Sequence, residues 1–274
     1  ATQVNWNGVT QMKIIGLDEI ALKRGHRDFV VLVTAPMPTG GVEVLAVLPD
    51  RQKQTVMTFL TSIPFELRAR IERVCSDMYK GFTGAVQATL PWAKLVIDRF
   101  HVAKAYRACA DTVRKQEVRR LRHALSKTAY EDIKGAMWPF RKSPDDLKDK
   151  EKAILERLFA HSPQLKQAYE LRESLTQIFE RDYTKPGAKR AIRAWCKRVR
   201  KSGLKAFDSC LTTIETWLDP ITIYFLEGLN SGFVEGFNNR VKILKRRCYG
   251  IFDTERIFQR LTLDTKGFEI LGYD

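Results

Sequence analysis

The sequence predicts an α/β fold: a mixed five-stranded sheet flanked by helices, with an all-helical insertion before a late helix that carries one acid, Glu235. Three observations predict it. Over the first hundred residues or so, short β-rich apolar runs are followed by alternating helical and strand patterns; from about 103 to 227 strand-like alternation disappears; and an amphipathic helical pattern resumes around Glu235.

Residues 12–20 (MKIIGLDEI), 28–35 (DFVVLVTA) and 41–48 (GVEVLAVL) are apolar, β-rich runs separated by turn material (KRGH, PMPTGG), as in an antiparallel meander. In 51–63, Val56, Phe59, Leu60 and Ile63 recur at helical spacing. IERVCSD (71–77) reads as a fourth strand, 78–90 as a helix, and AKLVIDRFHV (93–102) as a fifth strand running into another helix. Three strands, a helix, then strand, helix, strand imply a mixed sheet with helices on its faces. Charged, helix-favouring sequence follows, in which Ser143 and Ser162, each before a proline, are expected to be helix N-caps. The expected division is 1–108 for the first part of the core, 109–227 for the insertion and 228–274 for the return to the core.

Composition narrows the function. A chain of 274 residues, 44% hydrophobic, can bury a substantial core. A formal charge of +15, from 47 lysines and arginines against 32 acids, is too lopsided for an ordinary metabolic enzyme and points to a polyanion, with nucleic acid ahead of an anionic membrane. No run approaches the ~20 apolar residues of a membrane span and no signal peptide is evident, so a soluble, intracellular protein is expected. The five cysteines are scattered without CxxC spacing, which suggests neither a disulfide framework nor a zinc ribbon; they are expected to be buried thiols. The chain begins without methionine, and a segment upstream is expected.

Three acids stand at predicted strand ends. Asp18 lies in or just past the first run, Asp77 ends the fourth and Asp98 the fifth; a turn acid or a helix N-cap is the bland account of each. Glu235 is less ordinary. Val234, Phe237, Val241, Leu244 and Cys248 form an apolar stripe at 3-4-3-4 spacing, and Glu235, Asn239, Lys242 and Arg246 share a neighbouring face. An ion-paired solvated face would mix both signs, but NNRVKILKRR contains no acid. If Asp18, Asp77 and Glu235 converge, they supply the hard oxygen ligands that two Mg²⁺ or Mn²⁺ ions require, the arrangement that phosphodiester chemistry uses.

GLDEIALKRGH, CSDMYKGF, VIDRFHV and SGFVEGFNNRVKILKRRCYGI together resemble, in order and context, the DDE transposases, and in particular the ISL-three family of bacterial insertion-sequence transposases. The resemblance spans nearly the whole chain. It implies a ribonuclease-H-like core with a helical insertion, Asp18 bridging two Mg²⁺ or Mn²⁺ ions, and Asp77 and Glu235 each completing one site. His101 would be an accessory residue near the metals or the scissile phosphate, although a histidine satisfied at a helix start accounts for it equally well. The implied partner is double-stranded DNA, transposon ends and target, bound by a homodimer in the bacterial cytoplasm at the nucleoid. The family's N-terminal zinc-binding segment and helix-turn-helix are not visible in this sequence, so the contacts retained are expected to be mainly with phosphates.

The DNA-binding candidates are Asn239, Arg240, Lys242, Lys245, Arg246 and Arg247 after the glutamate, Lys189, Arg190, Arg193, Lys197 and Arg198 within 185–205, and Lys23 and Arg24. Residues 185–205 hold nine lysines and arginines and no acid; such a run repels itself without a polyanion nearby. Residues 113–127, with six lysines and arginines against one acid, suit a solvated helix surface as well as DNA. Trp138 and Trp195 could stack on unpaired bases, but both are expected in the core. Two other readings stay open: a nuclease or junction resolvase that cuts without joining, and a domesticated DNA-binding protein without catalysis.

Overall fold

The computed structural model describes residues 3–21, 29–38, 40–226, 243 and 253–272. The chain divides into two compact units, Ala1–Asp98 with Glu227–Asp274, and Arg99–Leu226.

In the first unit β1 (Ile14–Ala21), β2 (Phe29–Pro36) and β3 (Val42–Leu48) form the antiparallel meander. Gly40 and Gly41, at φ +92° and +82°, make the β2–β3 turn in a region that side chains disfavour. Helices α1 (Lys53–Ser62) and α2 (Phe65–Arg68) lead to β4 (Arg73–Ser76), which pairs parallel to β1; α3 (Lys80–Thr89) then leads to β5 (Lys94–Ile97), parallel to β4. The sheet order is β3-β2-β1-β4-β5, a mixed five-stranded sheet as the sequence predicted.

Period-two alternation decides what each face buries. Ile15, Leu17, Val31, Val33 and Val74 pack with Val56, Phe59 and Leu60 of α1 and with Phe82, Ala85 and Val86 of α3. Ile20, Val30, Leu32, Val44 and Val47 point the other way and are covered by Ile257, Phe258 and Leu261 of the last helix, here α12 (Thr254–Leu271). β2 lies inside the sheet under both layers, which is why FVVLVTAP is almost continuously apolar.

The second unit contains, among its described residues, only helical elements: α4 (Arg99–Ala124), α5 (Lys127–Glu131), α6 (Met137–Arg141), α7 (Asp149–His161), α8 (Pro163–Glu180), α9 (Lys185–Ser202), α10 (Asp208–Thr216), α11 (Leu218–Ile223) and short 3₁₀ turns. Ser162 caps α8, its Oγ accepting from the Leu165 amide at 3.3 Å and donating to Glu117 Oε2 at 2.5 Å. Ser143 corrects the parallel expectation. Its proline opens only the 3₁₀ turn Pro144–Asp146, its hydroxyl donates to Asp146 Oδ2 at 2.6 Å, and α7 starts later, after Lys148. Trp195 is core as expected, fully buried, its indole N–H donating to the Leu171 carbonyl at 2.8 Å. Trp138 is not: α6 is a single turn that buries Pro139 and Phe140, leaving Trp138 63% exposed with the Arg141 guanidinium 5.5 Å from its ring centre. Cys75, Cys109, Cys196 and Cys210 are buried free thiols; Cys248 lies outside the described residues.

Candidate functional site

Asp77 and Asp98 follow the ends of β4 and β5 as expected, but Asp18 lies inside β1, because β1 goes on pairing with β2 as far as Ala21. The parallel register still brings the three acids side by side. In β1 and β4 the partners run from Ile14 with Arg73 to Leu17 with Ser76, so the next residue on each is Asp18 and Asp77. In β4 and β5 the last pair is Ser76 with Ile97, and the Asp98 amide donates to the Ser76 carbonyl at 2.9 Å. Asp18, Asp77 and Asp98 thus continue one row across three neighbouring strands, whose backbones in a sheet lie about 4.8 Å apart. By alternation Asp18 and Asp77 fall on the face opposite Leu17 and Val74, the face that carries Ile20 and Leu32.

Asp77 is not the N-cap residue of α3: that position is Tyr79, which makes no side-chain cap bond. Asp18 is nearly buried at 7% exposure inside β1, paired in register with Leu32, and its Oδ1 accepts from the Glu19 amide at 2.7 Å. A carboxylate kept in a strand between apolar neighbours is costly unless it has a polar task. Asp98, 4% exposed, was outside the sequence-based triad; the repeated pattern of apolar strand followed by acid was the signal for it. Its charge is felt nearby: burial, and then the Asp98 carboxylate, push the Cys75 thiol up to about 12.

The donor set at this edge is all oxygen, the preference of Mg²⁺ or Mn²⁺, and so fits the expected ions in chemistry. Among the described residues no group of three His, Cys, Asp or Glu side chains could hold a metal by itself. Glu235, the expected third ligand, lies outside the described residues, as do Asn239, Arg240, Lys242, Lys245, Arg246, Arg247, Lys23 and Arg24. His101 sits half-buried in the first turn of α4, in the helical unit, its ring edge-on to Phe100 at 5.9 Å.

In the helical unit, α9 separates its residues by face. Ala188, Ile192, Trp195, Cys196 and Val199 are buried, whereas Arg190, Arg193, Lys197 and Arg198 are exposed. Among the described residues no carboxylate forms an ion pair with any of these four, although Lys189 is paired with Asp219. The cations of 113–127 are more occupied: Arg114 is buried against Asp111, Lys115 reaches the same carboxylate, and Arg120 pairs with Glu117 at 2.8 Å. Among the described residues no helix is long and apolar enough to cross a membrane.

Known proteins resemble this chain along most of its length. A family model described as "Transposase" matches residues 15–261. The transposase for insertion sequence element IS1001 of Bordetella parapertussis is 30% identical over 254 residues, which is 92% of this chain and 61% of that protein. The transposase for insertion sequence element IS1557 of Mycobacterium tuberculosis is 25% identical over 276 residues, with 93% and 61% covered. The chain therefore spans about three fifths of the length of these curated relatives. A solved structure of the Drosophila P element transposase strand transfer complex aligns with 91% of this chain and 76% of its own at a TM-score of 0.43 and 10% identity.

Proposed function

We propose, starting from the chain's membership of the ISL-three family of DDE transposases, that it is a catalytic region that cuts and rejoins DNA at the ends of an insertion sequence. The observation that carries this reading is that Asp18 and Asp77 each follow the last registered pair, Leu17 with Ser76, of two adjacent parallel strands. Asp18, Asp77 and Glu235 would hold two Mg²⁺ or Mn²⁺ ions. When bound, such a pair supplies activation of the attacking water or 3′-hydroxyl and stabilisation of the leaving oxygen.

The chain's own groups then do the rest. The strand pair would position both carboxylates, because Asp18 lies within the β1 ladder and Asp77 follows directly on the last residue of β4. The exposed cations of α9 bind phosphates without reading sequence, which suits a helix whose exposed residues include Arg190, Arg193, Lys197 and Arg198. His101 is an accessory group at the start of the helical insertion, and two copies act together on DNA.

The test is cleavage and joining of labelled duplex ends in Mg²⁺ or Mn²⁺ by this chain and by folded Asp18→Asn, Asp77→Asn and Glu235→Gln variants. Metal-dependent cleavage lost in all three supports the triad, and cleavage retained in any of them sinks it. Cleavage without a joined product makes the protein a nuclease or resolvase. Salt-sensitive binding with no cleavage by the unaltered chain leaves a DNA-binding protein.

A further inference from the structure

Arg51, in the segment joining β3 to α1, is held more firmly than its exposure requires. Its side chain is 45% exposed, yet Nη1 donates to Glu19 Oε2 at 2.7 Å, and its guanidinium lies 4.9 Å from the Tyr79 ring centre and 5.2 Å from that of Phe29. The three anchors come from distant parts of the chain. Glu19 follows Asp18 on β1, Tyr79 lies two residues beyond Asp77, and Phe29 opens β2.

The Tyr79 ring reaches this position because residue 81 has no side chain: a Cβ on Gly81 would lie 2.3 Å from Tyr79 Cε1. The ring also meets Phe82 edge-on at 5.2 Å, which fixes its tilt. Part of the motif CSDMYKGF is thereby accounted for as a clamp for a cation from another segment. The hydrogen bond and charge of Glu19 raise the pKa of Arg51. Its contact with Tyr79, two residues beyond Asp77, sets the cation beside the segment that follows β4.

A guanidinium has five N–H groups in a rigid fork, and the bond to Glu19 occupies one of them. Two ring contacts and one ion pair restrain the side chain while its outer donors face solvent, so little rotamer freedom is left to lose on binding an anion. Holding the β3–α1 segment would need only the ion pair, and exposed pairs contribute little.

We propose that Arg51 is a substrate-contacting residue: it binds a backbone phosphate of the DNA strand adjacent to the scissile bond, with Glu19, Phe29 and Tyr79 as positioning residues. This rests on the reading of Asp18 and Asp77 as the cutting site.

The experiment measures binding of a labelled duplex end by this chain across salt concentrations, together with kcat and KM for cleavage and the melting temperature. Variants are Arg51→Ala, Arg51→Lys and Glu19→Gln. Loss of one phosphate contact lowers the slope of log affinity against log salt by about 0.9, which makes the affinity lost between ~50 and ~200 mM salt smaller by about 3.5-fold. Arg51→Ala should show that change, and Arg51→Lys should restore the slope. Glu19→Gln should keep the slope, since the cation remains, but lower kcat, since it is no longer aimed. An unchanged slope in folded Arg51→Ala overturns the proposal, as does a Glu19→Gln variant whose kcat is unaffected. Equal falls in melting temperature for Arg51→Ala and Glu19→Gln with an unchanged slope would make Arg51 a structural tie and overturn it as well. Failure of the catalytic reading is recognised separately: the unaltered chain would not cleave, while the binding slope would still decide whether Arg51 touches phosphate.

Discussion

Trp195 decides whether α9 is presented as a helix at all, and Trp195→Ala is the perturbation that tests this. The side chain is fully buried, its N–H donates to the Leu171 carbonyl of α8 at 2.8 Å, and its ring meets Phe207 at 6.4 Å. A buried tryptophan removes on the order of 150–250 Å² from water, and truncating one to alanine costs about 3–5 kcal/mol. Trp195→Phe keeps most of that area and loses the single hydrogen bond, so about 1–2 kcal/mol is expected. A domain's whole stability is roughly 5–15 kcal/mol, so the alanine variant should leave Arg99–Leu226 marginal while the sheet unit persists. Because the chain has two compact units, urea unfolding should be followed together with amide exchange resolved to α8 and α9, rather than by one signal. The expected result is early loss of protection in those helices and a parallel loss of DNA affinity. A cost under about 1 kcal/mol for alanine, or equal costs for alanine and phenylalanine, would refute the reasoning from burial.

Three further outcomes follow from the geometry. Replacing Arg190, Arg193, Lys197 and Arg198 together by glutamine should lower the salt slope of duplex binding by about 3 to 4 with little change in melting temperature; an unchanged slope would remove α9 from the DNA interface. Burial opposes ionisation of Asp111, but hydrogen bonds from Arg114 and Arg141 outweigh it and hold its carboxyl well below the usual range. With the folded pKa below the unfolded value near ~3.9, this contribution is fully present above about pH 4 and is lost as pH falls further, so Asp111→Asn should flatten the acid side of the stability profile measured by urea titration. Gly81→Ala would normally stabilise a helix by about 1 kcal/mol; here the new Cβ must displace the Tyr79 ring, so a neutral or destabilising result is expected in urea titration, and the full gain would show that the ring was not held.

Much of the fold was legible because local pattern encodes it. β1 to β5 and the longer helices between them lie where period-two and period-3.6 apolar spacing put them; Asp77 and Asp98 stand where strands stop, whereas Asp18 lies within β1. Ser143 and Ser162 show the limit, since both precede proline and only one starts an α-helix: Ser162 has a buried partner in Glu117, forty-five positions earlier in sequence, and Ser143 spends its hydroxyl on its own turn. Trp138 and Trp195 show it again. Both sit in helical sequence, but α6 is too short to have two buried sides, while α9 lies against α8 and holds its tryptophan there.

The sequence by itself determined the elements, the excess of positive charge, the separation of apolar and cationic faces on α9, and the family. Each is a property of neighbours along the chain or of overall composition, and so survives without a fold. Only the tertiary structure decided that Asp18, Asp77 and Asp98 stand in one row, that Arg51 is clamped by residues from β1, β2 and the start of α3, and which tryptophan is buried. Parallel pairing joins segments separated by a whole crossover, and its register is set by which faces the intervening helices cover rather than by any residue at the strand ends.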